Sequence, residues 1–270
     1  MCYSGGKDSD VIRILAQLAG VNHEIHHNLT TVDAPETVQY VKSIPGVIID
    51  RPQMTMWELI AAKRMPPTRI VRYCCKYLKE TGGKGRVKIT GVRWAESLKR
   101  KQTAGLIKII GKPKTVQKVA DGIGVDYLKP RSNGLILNDD NDESRRVVEQ
   151  CYRTTSTMVN PIVDWDDNEV WEFLHHYGCK SNPLYQCGKK RIGCIGCPLA
   201  GRNNRLKDFE EYQTYYRAYV RAFDKMVSKR IERGKNIKMT RSTWTDGESV
   251  MRWWLGESDD TQITFDDLEV

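Results

Sequence analysis

No apolar run in these 270 residues approaches the ~20 that a membrane span requires, and no charged segment followed by a short apolar stretch opens the chain as a secretory leader would. The expectation is a cytoplasmic protein with no membrane partner. Without a secretion signal, eight cysteines argue against a disulfide framework and for metal or redox chemistry. Also lacking is the Walker phosphate loop, which needs four residues between its first glycine and a Gly-Lys-Ser/Thr end. Long runs of apolar strand are missing ahead of the first motif as well. Only Met1, Cys2 and Tyr3 precede it, so either the first strand is a stub or upstream sequence is absent.

What is present begins at Ser4-Gly5-Gly6-Lys7-Asp8-Ser9. Two glycines let the backbone turn tightly and bring its N–H groups to an anion, Lys7 adds a point charge, and a following helix offers its positive end. The composition predicts a polyphosphate cradle. A glycine turn capped by Ser9 ahead of a helix over 10–19 is the plainer alternative. The net charge of +9, from 43 basic and 34 acidic residues, favours anionic partners, whether nucleotides or a nucleic-acid backbone.

The cysteines have a pattern. Cys74 and Cys75 are adjacent, and Cys187, Cys194 and Cys197 follow some way downstream, the last two as Cys-Ile-Gly-Cys-Pro. A C-x2-C knuckle with an internal glycine turns two thiolates toward one centre, and a second pair completes four ligands for zinc or a [4Fe–4S] cluster. Adjacent cysteines diverge in regular structure and make an awkward pair for a closed tetrahedral zinc site, which favours the cluster. Cys187 is the alternative ligand or a free thiol. Cys2, Cys151 and Cys179 have no partner spacing and read as small buried hydrophobes.

Together these segments resemble the phosphoadenylyl-sulfate (PAPS) reductase family of the PP-loop, or adenine nucleotide alpha-hydrolase, superfamily. Five segments between residue 4 and about 200 carry the resemblance: the Ser4–Ser9 loop; Asp33-Ala34-Pro35-Glu36-Thr37; Gly91 to Arg100, including Arg93 and Ser97; Asn160-Pro161-Ile162-Val163-Asp164-Trp165; and the cysteine pattern. The resemblance implies nucleotide binding by Ser4, Gly5, Gly6, Lys7, Asp8, Ser9, Asp33 and Ser97. It implies catalytic roles for Lys7, Asp8, Arg93 and Arg100, and one [4Fe–4S] cluster on Cys74, Cys75, Cys194 and Cys197. The family commonly has Asp-Thr-Gly where Asp33-Ala34-Pro35 stands.

The expected fold is α/β, a doubly wound parallel sheet of Rossmann-like type, because strand-like runs at 47–49 and 87–92 alternate with helical stretches at 10–19, 36–43 and 56–64. Residues 1–200 form the PP-loop domain. Residues 101–146 read as an insertion with a solvated acidic run at 139–143, and residues 201–270 as a helical extension packed on the domain. In that extension Phe209, Tyr212, Tyr216, Tyr219, Phe223 and Met226 recur at helical spacing. They read first as a core stripe; interleaved with bases, they are also candidates for receiving single-stranded nucleic acid.

Sulfonucleotide reductases attack with a cysteine on a C-terminal tail, and no cysteine follows Cys197 here. The leading expectation is therefore an enzyme that splits ATP to AMP and pyrophosphate with Mg2+ to activate an acceptor for sulfur transfer. It also resembles the sulfur-activating component of DNA phosphorothioation systems, with a nucleic acid as candidate acceptor and a sulfur-donor or electron-donor protein as candidate partner. Two alternatives are reduction of an adenylyl-sulfate nucleotide through Cys187, and a non-catalytic nucleotide-binding subunit.

Overall fold

A computed structural model of the protein describes residues 1–80, 82–83, 85–110, 135–138, 156–232 and 244–257. The acidic run at 139–143 and Cys151 lie outside them. The chain divides into two compact units that interleave along the sequence. The first holds Met1–Asn28, Pro35–Asp50 and Gly82–Ile192; the second holds Leu29–Ala34, Arg51–Thr81 and Gly193–Val270.

The first unit is α/β. Strands β1 (Ile25–Asn28) and β2 (Val47–Asp50) pair in parallel, Ile25 opposite Val47. Strands β3 (Val87–Ile89) and β6 (Ser156–Val159) also pair in parallel. The first three residues join the two ladders. Tyr3 N donates to His26 O (2.8 Å) and His26 N to Met1 O (2.9 Å), while on the other side Cys2 N donates to Ile89 O (2.9 Å). So the expected stub is a working strand, in parallel bridge with β1. The edge beyond β6 is antiparallel, formed by β4 (Ile107–Ile110) and β5 (Leu135–Leu137). Both come from the segment read as an insertion. An antiparallel return needs no crossover helix, so an inserted pair can extend a parallel sheet without rewinding it.

Helix α1 (Lys7–Leu18) leaves the stub through the glycine loop and buries Val11, Ile12, Ile14 and Ala16. These pack with Ile162 and with Val170 and Leu174 of α5 (Asp167–His176). Each such side chain contributes roughly 1.5–3 kcal/mol by leaving water. Trp165 and Trp171 pack partly buried against the same cluster, as their spacing predicted. Helix α5 starts where Asp166 accepts from Asn168 N (2.7 Å) and Glu169 N (2.9 Å), a capping box written in the sequence as Asp-x-x-Glu. Helix α2 (Pro35–Ser43) begins on Pro35, whose missing N–H costs nothing at a first turn.

Among the polar residues buried in this unit is an aspartate. Asp10 is fully buried and accepts from Tyr3 Oη (2.6 Å) and Tyr40 Oη (3.0 Å). Burial pushes its carboxyl from 3.8 up to about 6, against the pull of the two tyrosines. Between those values the unfolded chain ionises Asp10 and the folded chain does not, so stability falls as pH rises, by about 3 kcal/mol in all, and levels off above 6. Thermal unfolding followed from pH 4 to 7 should show that slope, and Asp10→Asn should remove it. An identical slope in the variant would refute the assignment.

The second unit, as described, is mainly helical. Helices α3 (Met56–Lys63), α6 (Arg202–Glu211), α7 (Gln213–Glu232) and α8 (Gly247–Leu255) build it. From α7, Tyr219, Phe223, Met226 and Val227 are buried. Trp254 of α8 lies 5.0 Å from the Tyr219 ring and 5.4 Å from Phe223, and Trp57 of α3 meets Tyr219 edge-on at 5.0 Å. The aromatic stripe is therefore core, and its buried rings are not platforms for bases. The stripe also breaks at Tyr212 (φ −115°, ψ 66°) into two helices. Among the described residues no helix is long and apolar enough to cross a membrane.

Candidate active site and thiol cluster

In a doubly wound sheet, ligands bind outside the carboxyl ends of strands where the chain turns from winding one way to winding the other. That point here lies between the stub, followed by the Ser4–Ser9 loop, and β3, followed by residues 90–97. Gly5 has φ +76°, and a Cβ there would stand 2.8 Å from Val41 Cγ2, so both conformation and space require glycine. Gly6, not Ser9, caps α1. The Ser9 hydroxyl folds back, accepting from Gly6 N (3.0 Å) and donating to Gly6 O (2.7 Å). Two contacts from a distant segment brace the turn: Asn182 Nδ2 donates to Gly5 O (3.1 Å) and Lys7 N donates to Tyr185 Oη (2.9 Å).

Charged side chains meet beside the loop. The Lys7 ammonium pairs with Asp167 Oδ1. Arg93 donates from Nε to Asp8 Oδ1 (2.7 Å), from Nη2 to Asp167 Oδ1 (2.6 Å) and from Nη1 to Trp165 O (3.1 Å). The cationic side chains are only 6% and 3% exposed, whereas those of Asp8 and Asp167 are 28% and 70% exposed. Hydrogen bonds from Lys7, then from Arg93, hold the Asp167 carboxyl below the usual range. Two cations and two acids thus form one lattice, with Asp167 open to solvent and Asp8 partly so. Asp167 was not anticipated. It sits in a polar helix start, and its partners lie 160 and 74 residues away in sequence.

Arg100 and Ser97 are engaged locally. Ser97 Oγ accepts from Arg100 N (3.2 Å) as the cap of helix α4 (Leu98–Thr103), and Arg100 Nε lies 3.2 Å from Glu96 Oε2. Arg191 reaches the same carboxylate at 3.7 Å. Cys187 is an exposed free thiol two residues after Tyr185.

In the second unit, Cys75–Lys79 is a π-helical turn, a rare geometry often found at functional sites. Cys74 is its N-cap, and the two adjacent thiols interact so that Cys74 is raised and Cys75 lowered, with Lys79 and Arg72 also lowering Cys75. Cys194 lies within electrostatic range of Cys74 and Cys197. It donates to Thr30 Oγ1 at 3.4 Å, and Asp33 faces it across an antiparallel bridge. Asp33 also accepts from Thr30 N (2.7 Å). Lys79 is exposed as a residue, yet its ammonium reaches Cys194 and Asp33 and is held charged, by Cys194 first. Burial pushes Cys194 itself up. The knuckle turns where Cys197 N donates to Cys194 O (3.2 Å). Among the described residues, no three His, Cys, Asp or Glu side chains are spaced to close on a single metal ion.

Comparison with known proteins agrees with the motifs. Residues 1–200 match the family described as phosphoadenosine phosphosulfate reductase domain. An uncharacterized protein, MJ0973, of Methanocaldococcus jannaschii is 26% identical over 231 residues, covering 81% of this chain and 46% of that protein. Adenosine 5'-phosphosulfate reductase of Allochromatium vinosum is 43% identical over 42 residues, 16% of each chain. The enzyme of that name from Bacillus thuringiensis is 32% identical over 66 residues, covering 23% of this chain and 28% of that one. The chain thus spans less than half the length of these curated relatives. A crystal structure of PAPS reductase from Candida auris in complex with phosphate aligns over 72% of this chain and 80% of that one, at 15% identity and a TM-score of 0.41. With the family match covering 200 of 270 residues, the chain belongs to the phosphoadenosine phosphosulfate reductase domain family.

Proposed function

We propose that the protein binds ATP through the Ser4–Ser9 loop and splits it to AMP and pyrophosphate, activating an acceptor for sulfur transfer. The lattice of Lys7, Asp8, Arg93 and Asp167 carries this reading. A site meant only for an anion would offer cations alone, whereas this one sets two carboxylates, one exposed and one partly exposed, among its cations. Magnesium is ordinarily held by one or two carboxylates together with substrate phosphates, and the oxygen donors of Asp8 and Asp167 fit that ion. Bound there, it would supply charge neutralisation on the phosphates.

The protein's own groups do the rest. The Lys7 ammonium, held in place by Asp167 before substrate arrives, stabilises charge growing on the departing pyrophosphate. Arg93, fixed by Asp8, Asp167 and Trp165 O, holds the loop and the segment after β3 in register. As the acceptor oxygen attacks the α-phosphorus, the bond from that phosphorus to the oxygen bridging to the β-phosphate breaks, pyrophosphate leaves and the acceptor is left adenylylated. Sulfur from the donor then displaces that oxygen, which departs with AMP.

Cys74, Cys75, Cys194 and Cys197 would hold the [4Fe–4S] cluster. The donor set fits: four thiols from a π-turn and a knuckle, one of them acidified, with the Lys79 cation beside them to offset the cluster's negative charge. Purified anaerobically with iron and sulfide, the protein should release pyrophosphate from ATP in the presence of a nucleic-acid acceptor, and AMP as well once a sulfur donor is added. Sulfite from adenylyl-sulfate with no pyrophosphate from ATP would reject this reading.

Cys187 favours a second reading, since an exposed thiol close in sequence to Tyr185 is a candidate nucleophile for sulfonucleotide reduction. The relatives named adenosine 5'-phosphosulfate reductase support it. Cys187→Ser separates the two: the ATP reading expects pyrophosphate release within about twofold of the parent, and the reductase reading expects thioredoxin-dependent sulfite formation to disappear.

A further inference from the structure

In the first unit a groove of about 850 Å3 runs along the C-terminal half of α1, between α2 and the segment after α5. This size suits a small organic ligand. Its lining is two-sided. Ile14, Leu18 and Ile44 supply an apolar floor, and Leu18 is left 57% exposed. Arg13 and Lys180 supply cations.

Arg13 is poorly satisfied. Its Nη1 lies 3.4 Å from Gln17 Oε1 and its Nη2 3.8 Å from Cys179 Sγ, both long, and its buried Nε has no acceptor. The hydroxyl of Ser181, also lining the groove, is buried without a partner. Buried polar atoms are rarely left unmatched in folded proteins. A guanidinium and a hydroxyl with spare hydrogen-bonding capacity over an apolar floor call for an anionic head on a hydrophobic body.

We propose that this groove binds a small amphiphilic anion, a carboxylate, sulfonate or phosphate on an aromatic or aliphatic body, and that its occupancy tightens nucleotide binding. The second half rests on the nucleotide reading of the Ser4–Ser9 loop. Coupling has a physical route, because residues of one segment serve both sites. Tyr177, Cys179, Ser181, Pro183 and Gln186 line the groove, while Asn182 and Tyr185 hold Gly5 and Lys7 of the loop. A second route runs from Tyr40, also in the lining, through Asp10 to Tyr3, the residue before Ser4. A ligand that fixes the segment removes freedom that the nucleotide would otherwise have to remove, and linkage makes the effect reciprocal.

The full chain is titrated with 8-anilinonaphthalene-1-sulfonate as the probe, followed by its fluorescence and by iodoacetamide labelling of Cys179 read by peptide mass spectrometry. Saturable binding is expected, with Cys179 protected while the exposed Cys2 and Cys187 are not. Arg13→Gln should weaken the probe about tenfold or more, and Lys180→Gln, on the exposed rim, severalfold without affecting folding. Labelling of Cys179 unchanged at saturating probe, or wild-type affinity in both variants, overturns the site. Saturating probe should tighten ATP at least roughly fivefold, the low end of ordinary allosteric coupling. ATP affinity unchanged by the probe, with Cys179 protected, overturns the coupling. If ATP fails to bind with or without the probe while Cys179 is protected, the nucleotide reading has failed and the groove has not.

Discussion

Gly196→Ala is expected to lower the melting temperature by roughly 4–20 °C and, on the proposed cluster, to lower the iron the protein retains. Gly196 lies between the knuckle cysteines with φ +68°, and a Cβ there would stand 2.4 Å from Phe209 Cζ. The ring cannot step aside. Phe209 is buried and packed edge-on against Tyr216 (5.7 Å) and Tyr219 (5.5 Å), with Trp254 at 6.1 Å. Forcing a side chain into the left-handed region costs about 1–2 kcal/mol, and overpacking a filled core about 1–3 more. Together that is a large part of a domain's ordinary stability of about 5–15 kcal/mol. Any relief by backbone movement pulls Cys194 and Cys197 out of their turn. Gly193→Ala is the matched control, because nothing lies within 4 Å of its Cβ position and its φ is not positive. Circular dichroism melting and iron content check both variants; equal values for the two would remove the argument.

The same turn shows what a sequence can and cannot disclose. A glycine inside C-x2-C announces a tight turn, so the knuckle was legible. The π-turn at Cys75–Lys79, which begins on the second of the adjacent thiols, was not, since no residue pattern marks a five-residue repeat. Local chemistry was likewise readable in Ser4–Ser9, where composition named a cradle, but the cap fell on Gly6 because the Ser9 hydroxyl satisfies that residue's backbone. The stub strand escaped periodicity altogether: three residues have no period, and only their hydrogen bonds to β1 and β3 identify them. Hardest to foresee was Asp167. Its position opening α5 explains it fully as helix-start polarity, and its second role depends on a lysine and an arginine that the fold, not the spacing, brings to it. Arg93 has a catalytic role only by family resemblance; buried among Asp8, Asp167 and Trp165 O, it is better placed to position the loop than to move.

Lys7→Met is expected to reduce kcat/KM for pyrophosphate release by roughly 10²–10³-fold, the ordinary loss when one preorganised charge-stabilising donor is removed, with little change in melting temperature. The two effects separate because of how Lys7 is held. Its stem is buried, its ammonium lies 5.9 Å over the Trp171 ring and pairs with Asp167, and methionine can fill the same channel without the charge. Its backbone N–H keeps Tyr185, and Asp167 keeps Arg93, so neither the loop nor the carboxylate is orphaned. A pH signature accompanies the loss. The Lys7 hydrogen bond is the largest cause of the lowered Asp167 carboxyl, so without it that carboxyl moves back toward its usual range. A carboxyl lowered by folding stabilises above its unfolded value, and that contribution disappears as pH falls through the folded one. In Lys7→Met the acid-side loss of stability should therefore be smaller and confined nearer the ordinary carboxylate range. Steady-state kinetics and acid unfolding of the two proteins test both halves. Activity within about tenfold of the parent, or superimposable acid transitions, would show that the ammonium beside Asp167 serves neither the departing pyrophosphate nor its carboxylate neighbour.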